Sequence, residues 1–248
     1  MKISIIGYGK MGHEIERVAK ARGIGIASVI DPNEKSASHH EINENSVKDA
    51  DVVIDFSVPA AVAKNVMTVS SLGKNMVVGT TGWYDSLDEV KDIVRKNGIG
   101  FIYSPNFSIG VNLFFKIAEE SSKLLNKTND YDVFVYEGHH NQKVDSPSGT
   151  AKALGDIILK NIRRKTKLVF DKLDRKILPE ELHVASFRAG YIPGTHVVGF
   201  DSEADTIELK HSARSRAGFA LGAVMAAEWV KGKKGFFTMQ DFMTDFFK

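Results

Sequence analysis

A glycine-rich turn at residues 7–12 limits the possible folds of this chain more than any other part of its sequence. It reads Gly7-Tyr-Gly-Lys-Met-Gly12 and follows a short apolar run, Lys2–Ile6. Behind it Ile15, Val18 and Ala19 recur at helical spacing. A strand, a tight turn and a helix in this order are typical of the phosphate-binding turn of a dinucleotide-binding fold.

Each glycine of the turn has its own predicted role. Gly7 allows the tight turn, Gly9 lets the backbone approach a pyrophosphate, and Gly12 lets the helix pack closely on the strand. A second predicted strand, residues 24–30, ends at Asp31. We expect the Asp31 carboxylate to bind the hydroxyls of a ribose. The alternative is a glycine-rich turn that binds no ligand.

Strands and helices continue to alternate up to about residue 107. Buried strands are predicted at 51–56, 75–78 and 99–103, with helical patterns between them. This rhythm is typical of a parallel sheet with helices on both faces. Ligands of such sheets bind beyond the carboxyl ends of the strands. The residues that follow those ends are candidates to line one cleft with Asp31: Phe56, Ser57, Gly79, Thr80, Thr81, Ser104, Pro105, Asn106 and Phe107.

The pattern changes after residue 109. A predicted helix at 111–125 is followed by segments in which apolar and polar residues alternate, as in strands with one buried face. The first two of these segments are separated by a predicted helix at 151–161. Together they predict a mixed, mostly antiparallel sheet. The segments are 131–137, 182–188, 195–201 and 206–211.

The predicted fold class is therefore α/β with two domains. Residues 1–107 and 217–248 form an N-terminal Rossmann-type dinucleotide-binding domain, because an Ala-rich helix at 217–230 and a Phe-rich tail are expected to pack back on the first sheet. Residues 108–216 form an α+β domain that contains the mixed, mostly antiparallel sheet.

The second domain contains the segment with the most reactive side chains, residues 137–151. It brings His139, His140 and Lys143 close to a predicted helix start at Ser148-Gly149-Thr150. A histidine, with an ordinary pKa of about 6.5, can donate a proton near neutral pH. Lys143 is a point charge suited to a carboxylate, and the N–H groups of a helix start bind anions. Without these neighbours, the two histidines could equally be surface residues.

Charge and composition exclude several kinds of function. The net charge of +2 is too balanced to indicate nucleic-acid binding, and the basic run at 160–167 is interpreted as a solvated helix end and loop. Because the chain has no cysteine, it has no disulfide, thiolate metal site or thiol nucleophile. His39 and His40 lack other ligands at metal spacing, so no metal site is predicted.

The chain is also expected to bind no membrane. No apolar run approaches the roughly 18 residues that a membrane span needs, and the sequence enters a strand at once, without a secretory leader pattern. We therefore expect a soluble cytoplasmic protein.

With these motifs the sequence resembles a known family, the 4-hydroxy-tetrahydrodipicolinate reductases of lysine and diaminopimelate biosynthesis, formerly called dihydrodipicolinate reductases. The resemblance covers nearly the whole chain, and the segment 137–151 is its most specific part. The other motifs that carry it are Gly7–Gly12, Asp55-Phe-Ser57, Val78-Gly-Thr-Thr-Gly82, Asn106-Phe-Ser-Ile-Gly-Val-Asn112, Arg188-Ala-Gly190 and Gly194-Thr-His196.

The resemblance implies a role for each candidate residue. His139 would donate or accept a proton and Lys143 would be the second proton-delivering group, while His140, Gly149 and Thr150 would hold a small heterocyclic dicarboxylate substrate. It also implies a homotetramer assembled through the sheet of the second domain. The cofactor site would be lined by Gly7, Tyr8, Gly9, Lys10, Met11, Gly12, Asp31, Gly79, Thr80, Thr81, Ser104, Pro105, Asn106 and Phe107.

One position departs from the family pattern. Many members that use NADPH well have an arginine directly after the ribose-binding acid, and this chain has Pro32 there. The nearest cation in the sequence is Lys35, and Asp31 would repel a 2′-phosphate. We therefore predict that NADH is preferred and that NADPH use is possible.

Two other functions stay open at this stage. Another two-domain dehydrogenase, such as one acting on an amino acid like aspartate, would share the glycine-rich turn but would not need the segment 139–150. A non-catalytic dinucleotide-binding regulator would have no reason to place Lys143 beside His139.

Overall fold

The structure, a computed structural model, describes residues 1–170 and 172–246, so Asp171, Phe247 and Lys248 lie outside the described residues. The strands are β1 (Lys2–Ile6), β2 (Gly25–Ile30), β3 (Val52–Asp55), β4 (Asn75–Val78), β5 (Gly100–Tyr103), β6 (Asp132–His139), β7 (Lys167–Val169), β8 (Glu181–Arg188), β9 (Thr195–Asp201), β10 (Thr206–Ser212) and β11 (Gly235–Thr238). The α-helices are α1 (Lys10–Ala21), α2 (Glu44–Val47), α3 (Val62–Ser71), α4 (Leu87–Asn97), α5 (Ile109–Leu125), α6 (Gly149–Asn161), α7 (Ala217–Val230) and α8 (Met239–Phe246).

The chain divides into two compact units. Unit 1 comprises Met1–Ile109 and Arg216–Lys248, and unit 2 comprises Gly110–Ser215. The sequence-based domains, 1–107 with 217–248 and 108–216, have boundaries close to these. None of the helices in residues 1–170 and 172–246 is both long enough and apolar enough to cross a membrane.

A six-stranded sheet forms the centre of unit 1. Its strand order is β11-β5-β4-β3-β1-β2, and all adjacent strands are parallel. Burial on both faces explains the continuous apolar runs, and every residue of β3 is buried. The Phe-rich tail supplies β11, which pairs with β5 at one edge. The predicted Rossmann-type domain is therefore confirmed.

The sheet of unit 2 is mixed, as predicted. Its order is β10-β9-β6-β8-β7; the first two pairings are antiparallel and the last two are parallel. The reason is α6, which follows β6 and returns the chain so that β7 and β8 run in the same direction as β6. Leu154 and Ile158 of α6 pack with Val135 and Val184 in the core of this unit.

The basic run at 160–167 contains a buried lysine. Lys165 is only 2% exposed. Its ammonium group donates hydrogen bonds to the carbonyl oxygens of Pro179 and Glu181, at 2.9 and 2.8 Å, and lies 2.6 Å from the Asp132 carboxylate. The interpretation of this run as a solvated helix end and loop is therefore wrong for Lys165, whose ammonium group is buried in unit 2 and paired with Asp132.

Candidate functional site

The glycine-rich turn joins β1 to α1, and of its three glycines only Gly9 has space for a side chain. Gly7 has a φ of +85°, and a Cβ there would lie 2.5 Å from the carbonyl oxygen of Phe56. A Cβ on Gly12 would lie 2.3 Å from the carbonyl oxygen of Gly7. At Gly9, in contrast, a Cβ would meet nothing within 4 Å. The fold therefore requires Gly7 and Gly12, whereas the backbone of Gly9 is open to a ligand.

The first turn of α1 has N–H groups available to a ligand. Gly9 is the N-cap, and no side chain caps the helix. Within residues 1–170 and 172–246, no acceptor pairs with the N–H groups of Lys10, Met11 and Gly12. Unpaired N–H groups at a helix N-terminus bind phosphate, so this turn fits the pyrophosphate of a dinucleotide.

Asp31, at the end of β2, is tied to the glycine-rich turn. Its carboxylate accepts hydrogen bonds from the backbone N–H groups of Tyr8, Asn33 and Glu34 at 2.8, 2.9 and 3.1 Å. Burial raises the pKa of Asp31, but these N–H groups outweigh it and the net pKa is lowered. Three of about four acceptor positions are occupied, which leaves room for one ribose hydroxyl.

The Tyr8 side chain does not face a ligand. Its ring packs with Val29 and Ala37, and its hydroxyl donates to the carboxylate of Glu16. Only the backbone of Tyr8 belongs to the candidate site.

A pocket of about 620 Å³ opens beside the turn, within the range of small-molecule sites. Gly7, Gly9 and Asp31 line it together with Phe56 and Ser57. Unit 1 thus brings together one part of the predicted cofactor site, beyond the carboxyl ends of β1, β2 and β3.

The charges around this pocket are mainly negative. Asp31 and Glu41 both line it, and the lysine that lines it is Lys64 on α3. Lys35, taken from the sequence as the nearest cation, is not among the lining residues. A 2′-phosphate bound here would face two carboxylates and one exposed ammonium group.

The predicted residues after β4 lie outside this pocket. A Cβ on Gly79 would come within 2.0 Å of the Phe56 ring, so Gly79 provides space for that ring. Thr80 is buried, and its hydroxyl donates to Asp55 at 3.3 Å, whereas Thr81 is exposed.

The predicted residues after β5 also lie outside it. The Ser104 hydroxyl donates to the Asn106 carbonyl oxygen and accepts the Asn106 N–H, at 2.9 and 3.0 Å. Pro105 is exposed. Phe107 is 2% exposed and packs near Phe56, with ring centroids 6.3 Å apart. The Phe107 side chain is therefore part of the core of unit 1.

Asp55 organises the ends of β3 and β4, a role that the sequence analysis missed. This carboxyl is fully buried and accepts hydrogen bonds from the Ser57 N–H, the Asn65 amide and the Thr80 hydroxyl, at 2.8, 2.9 and 3.3 Å. Burial raises its pKa. The available signal was an acid at the end of an otherwise apolar strand.

In unit 2, His139 is held by a buried carboxylate. Glu137 and His139 lie on the same face of β6, and His139 Nδ1 is hydrogen-bonded to the Glu137 carboxylate. Burial lowers the pKa of His139, although the bond to Glu137 opposes this. Nε2 faces Gly194, where a Cβ would lie 3.0 Å away. In the part of the chain that the structure describes, Nε2 has no hydrogen-bond partner, so it is available to a ligand.

The start of α6 lies next to this pair. The Ser148 N–H donates to Glu137 at 3.2 Å, and the Ser148 hydroxyl accepts the Ala151 N–H at 3.2 Å. The N–H groups of Gly149 and Thr150 have no acceptor among the described residues. Two free N–H donors beside a histidine form a site suited to a carboxylate.

Two cations, Lys143 and Arg188, and a second histidine, His140, lie near His139 in sequence or in the structure. Lys143 is half-buried and lies 2.7 Å from the Asp145 carboxylate. The Arg188 guanidinium lies 2.9 Å from the Glu137 carboxylate and donates to the Asp145 carbonyl oxygen at 2.5 Å. His140 is half-buried, and its backbone N–H donates to a carbonyl oxygen in the loop after β8.

His196, for which the sequence predicted no role of its own, belongs to the same cluster. Its ring lies 5.1 Å from that of His139, and its Nε2 lies 3.0 Å from the Ser148 hydroxyl. Burial lowers its pKa to about 4. Its Nδ1 is buried and has no partner within the described part of the chain.

Glu137, His139 and His196 each present a ligand atom within 4.8 Å of the others, a set that could hold a metal ion. Two contacts oppose this. The Glu137 carboxylate is already ion-paired with Arg188 and bonded to His139, and a dication there would lie next to the guanidinium. That no metal is bound stays a prediction.

Comparisons with known proteins identify relatives of both units. The family model described as "Dihydrodipicolinate reductase, N-terminus" matches residues 1–107, and the one described as "Dihydrodipicolinate reductase, C-terminus" matches residues 110–243. A 4-hydroxy-tetrahydrodipicolinate reductase from Christiangramia forsetii is 41% identical over the full length of both chains. One from Archaeoglobus fulgidus is 37% identical and covers 98% of this chain and 100% of its own.

A solved structure has the same fold. It is a dipicolinate-bound dihydrodipicolinate reductase from Paenisporosarcina sp. TG-14, which matches with a TM-score of 0.77 at 24% identity and covers 96% of this chain and 97% of its own. A probable dehydrogenase from Thermotoga maritima matches with a TM-score of 0.59 at 9% identity over 97% of this chain and 92% of its own.

Proposed function

The chain belongs to the dihydrodipicolinate reductase family, and from this membership we propose how its two units share the reduction of 4-hydroxy-tetrahydrodipicolinate to tetrahydrodipicolinate. It is an NAD(P)H-dependent oxidoreductase of lysine and diaminopimelate biosynthesis. Unit 1 binds the cofactor and unit 2 binds the substrate. The membership sets aside a non-catalytic regulator and a dehydrogenase acting on free amino acids. The observation that carries the proposal is the pair of free N–H groups at Gly149 and Thr150 beside the free Nε2 of His139.

In unit 2 the substrate carboxylates meet complementary groups. One carboxylate accepts the N–H groups of Gly149 and Thr150, assisted by the Thr150 hydroxyl. Lys143 exchanges its exposed partner Asp145 for the second carboxylate, because both are anions at the same ammonium group. His140 lines the same region. These contacts fix the ring relative to His139 Nε2.

The chemistry needs one hydride and one proton. Bound NAD(P)H supplies the hydride to the conjugated imine of the ring. Negative charge develops on the ring as a result, and His139 Nε2–H donates the proton that neutralises it, with Lys143 as the second proton-delivering group. The net change is the gain of a hydride and a proton and the loss of the 4-hydroxyl group as water.

In unit 1 the cofactor lies along the glycine-rich turn. The pyrophosphate is bound by the N–H groups at the start of α1, and the ribose by Asp31. The other groups proposed for this site, including the ends of β4 and β5, are Tyr8 through its backbone, Lys10, Met11, Gly79, Thr80, Thr81, Ser104, Pro105, Asn106 and Phe107. A cytoplasmic location is part of this proposal, because the reaction consumes reduced cofactor.

NADH is expected to be the better cofactor, and the same assay tests the function. The two carboxylates beside the pocket repel a 2′-phosphate, and Pro32 cannot pair with it. With the condensation product of pyruvate and aspartate semialdehyde as substrate, kcat/KM for NADH should exceed that for NADPH. The Pro32→Arg variant should gain NADPH activity, because a guanidinium pairs with phosphate.

Absence of turnover by folded protein would refute the function. A preference for NADPH of about tenfold, or 1.4 kcal/mol, would refute only the cofactor assignment.

A homotetramer is proposed to form through the unit 2 sheet. The face opposite α6 carries the stacked rings of Phe134 and Tyr136, 6.3 Å apart, and the Phe187 side chain, which is 47% exposed. An open sheet face with exposed aromatic residues is suited to association with another copy.

Light scattering should therefore give a native mass about four times the 27.3 kDa of one chain. Phe187→Asp should reduce this mass. Ile117→Asp is a matched control, because Ile117 is 49% exposed but lies on α5. Dissociation by Ile117→Asp, with Phe187→Asp unaffected, would move the interface away from the sheet.

A further inference from the structure

Glu137 is a buried carboxylate whose charge the proposed reaction does not use directly. It is fully buried, and both of its oxygen atoms are occupied. One bonds His139 Nδ1, and the other accepts the Ser148 N–H at 3.2 Å and lies 2.9 Å from the Arg188 guanidinium. Burying a charge costs free energy unless the charge is paired and hydrogen-bonded. The partners of Glu137 offset this cost, and three consequences follow from these contacts.

The first consequence concerns the His139 ring. Burial raises the pKa of Glu137, but the bonds from Arg188 and His139 outweigh it and keep the carboxyl ionised. An ionised carboxylate only accepts hydrogen bonds, so His139 Nδ1 must carry a proton. The nitrogen that gains and loses a proton is then Nε2, which is the one free to meet a substrate.

The second consequence concerns the start of α6. Because Ser148 is the N-cap, the bond from its N–H to Glu137 fixes the position of the first turn. The free N–H groups of Gly149 and Thr150 follow immediately. One carboxylate therefore contacts both the proton donor and the helix start that is proposed to bind the substrate.

The third consequence concerns charge. A bare carboxylate next to a dicarboxylate substrate would repel it. Arg188 offsets this charge, and its side chain is held by the carbonyl oxygens of Phe187 and Asp145 as well. The pair leaves the orienting hydrogen bond in place while reducing the repulsion.

We propose that Glu137 is the positioning residue of this site, holding the His139 ring in one tautomer and tying it to the substrate-binding start of α6. The inference rests on the proposed function for its effect on turnover, but its effect on His139 belongs to the ligand-free protein. Glu137 does not contact the substrate and acts through His139 and Ser148.

The groups that face His139 determine how its protonation responds to a change at residue 137. They are Glu137 on β6, Arg188 on β8, His196 on β9 and Lys143 in the loop after β6. Glu137 favours the protonated ring, whereas Arg188 and Lys143 disfavour it, and His196 is neutral at assay pH because its pKa is about 4. Removing the charge of Glu137 should therefore make His139 harder to protonate.

The test is Glu137→Gln, which keeps the shape of the side chain but removes its charge. NMR titration of the ligand-free protein should show the His139 pKa moving to lower pH and the neutral ring losing its single tautomer. The kcat should fall by about 100-fold, near the lower end of the contribution of a positioned acid. The limb on which kcat/KM falls with rising pH should move to lower pH, because His139 loses its proton more readily, while NADH binding stays unchanged.

The matched control is Glu181→Gln. Glu181 is also a buried glutamate of unit 2, paired with Arg175, and it lies at the opposite end of β8 from Arg188, about 23 Å away along the strand. This variant should leave the His139 titration and the kcat unchanged. If Glu137→Gln does not fold, Glu137→Asp replaces it, because the shorter acid keeps its charge but cannot reach His139 and Ser148 together.

The outcomes separate this inference from the proposed function. An unchanged His139 pKa and tautomer in a folded Glu137 variant would overturn the positioning role. If the wild-type protein does not turn over the substrate, the proposed function fails, and the NMR titration of the ligand-free protein still decides the role of Glu137.

Discussion

Replacing His139 by glutamine is expected to lower kcat by about 10²- to 10⁴-fold, the usual contribution of a positioned general acid. Glutamine keeps a polar group near Glu137 but cannot donate a titrating proton to the ring. NADH binding should be unchanged, because the glycine-rich turn belongs to unit 1 and His139 to unit 2. Steady-state kinetics and a fluorescence titration with NADH measure the two effects.

The pH dependence gives a second readout for the same variant. Burial lowers the pKa of His139 below its ordinary 6.5, and the proton donor is the protonated ring. In the wild-type protein, kcat/KM for the substrate should fall as pH rises through this pKa, and His139→Gln should lose that limb. His183→Gln, on β8 of the same unit, should behave like the wild type. Loss of NADH binding in His139→Gln, with the limb retained, would mean that the role is misassigned.

The parts of this protein that could be predicted from sequence are those determined by neighbouring residues. The spacing of Gly7, Gly9 and Gly12 predicts a turn within six residues, and a Cβ on Gly12 would clash with the Gly7 carbonyl oxygen inside that turn. The apolar runs that form β1 to β5 are likewise local, and each is bounded by polar or glycine-containing segments.

The contacts that could not be predicted from the sequence are those between residues that lie far apart in the chain. Glu137 and Arg188 look like two ordinary charged strand residues until β6 and β8 pair in parallel and bring them together. That pairing could have been foreseen, because the predicted helix between these strands is a crossover connection. The ion pair could not have been foreseen, because the sequence does not determine which side chains of the two strands come into contact. The position of Lys64 at the pocket beside the glycine-rich turn and the burial of Lys165 were missed for the same reason.

Glycine-to-alanine substitutions in the glycine-rich turn test its role in stability separately from its role in ligand binding. Each substitution adds one methyl group. In Gly12→Ala the new Cβ would lie 2.3 Å from the backbone carbonyl oxygen of Gly7, so the helix or the turn must shift. Overpacking of this kind costs about 1–3 kcal/mol of unfolding free energy, measurable by urea denaturation. Gly9→Ala should cost nothing in stability, because its φ of −78° suits any residue and no atom lies within 4 Å of the new Cβ.

For NADH binding, in contrast to stability, Gly9→Ala is the variant expected to have the direct effect. If the pyrophosphate passes over Gly9, the methyl group of Gly9→Ala occupies space that the ligand needs. A steric cost of about 1–3 kcal/mol then raises the dissociation constant for NADH by roughly 5- to 150-fold in a protein of normal stability. Wild-type affinity in Gly9→Ala would mean that the ligand does not approach this backbone. Unchanged stability in Gly12→Ala would mean that the turn can relax, and close packing would then not be the reason for a glycine at residue 12.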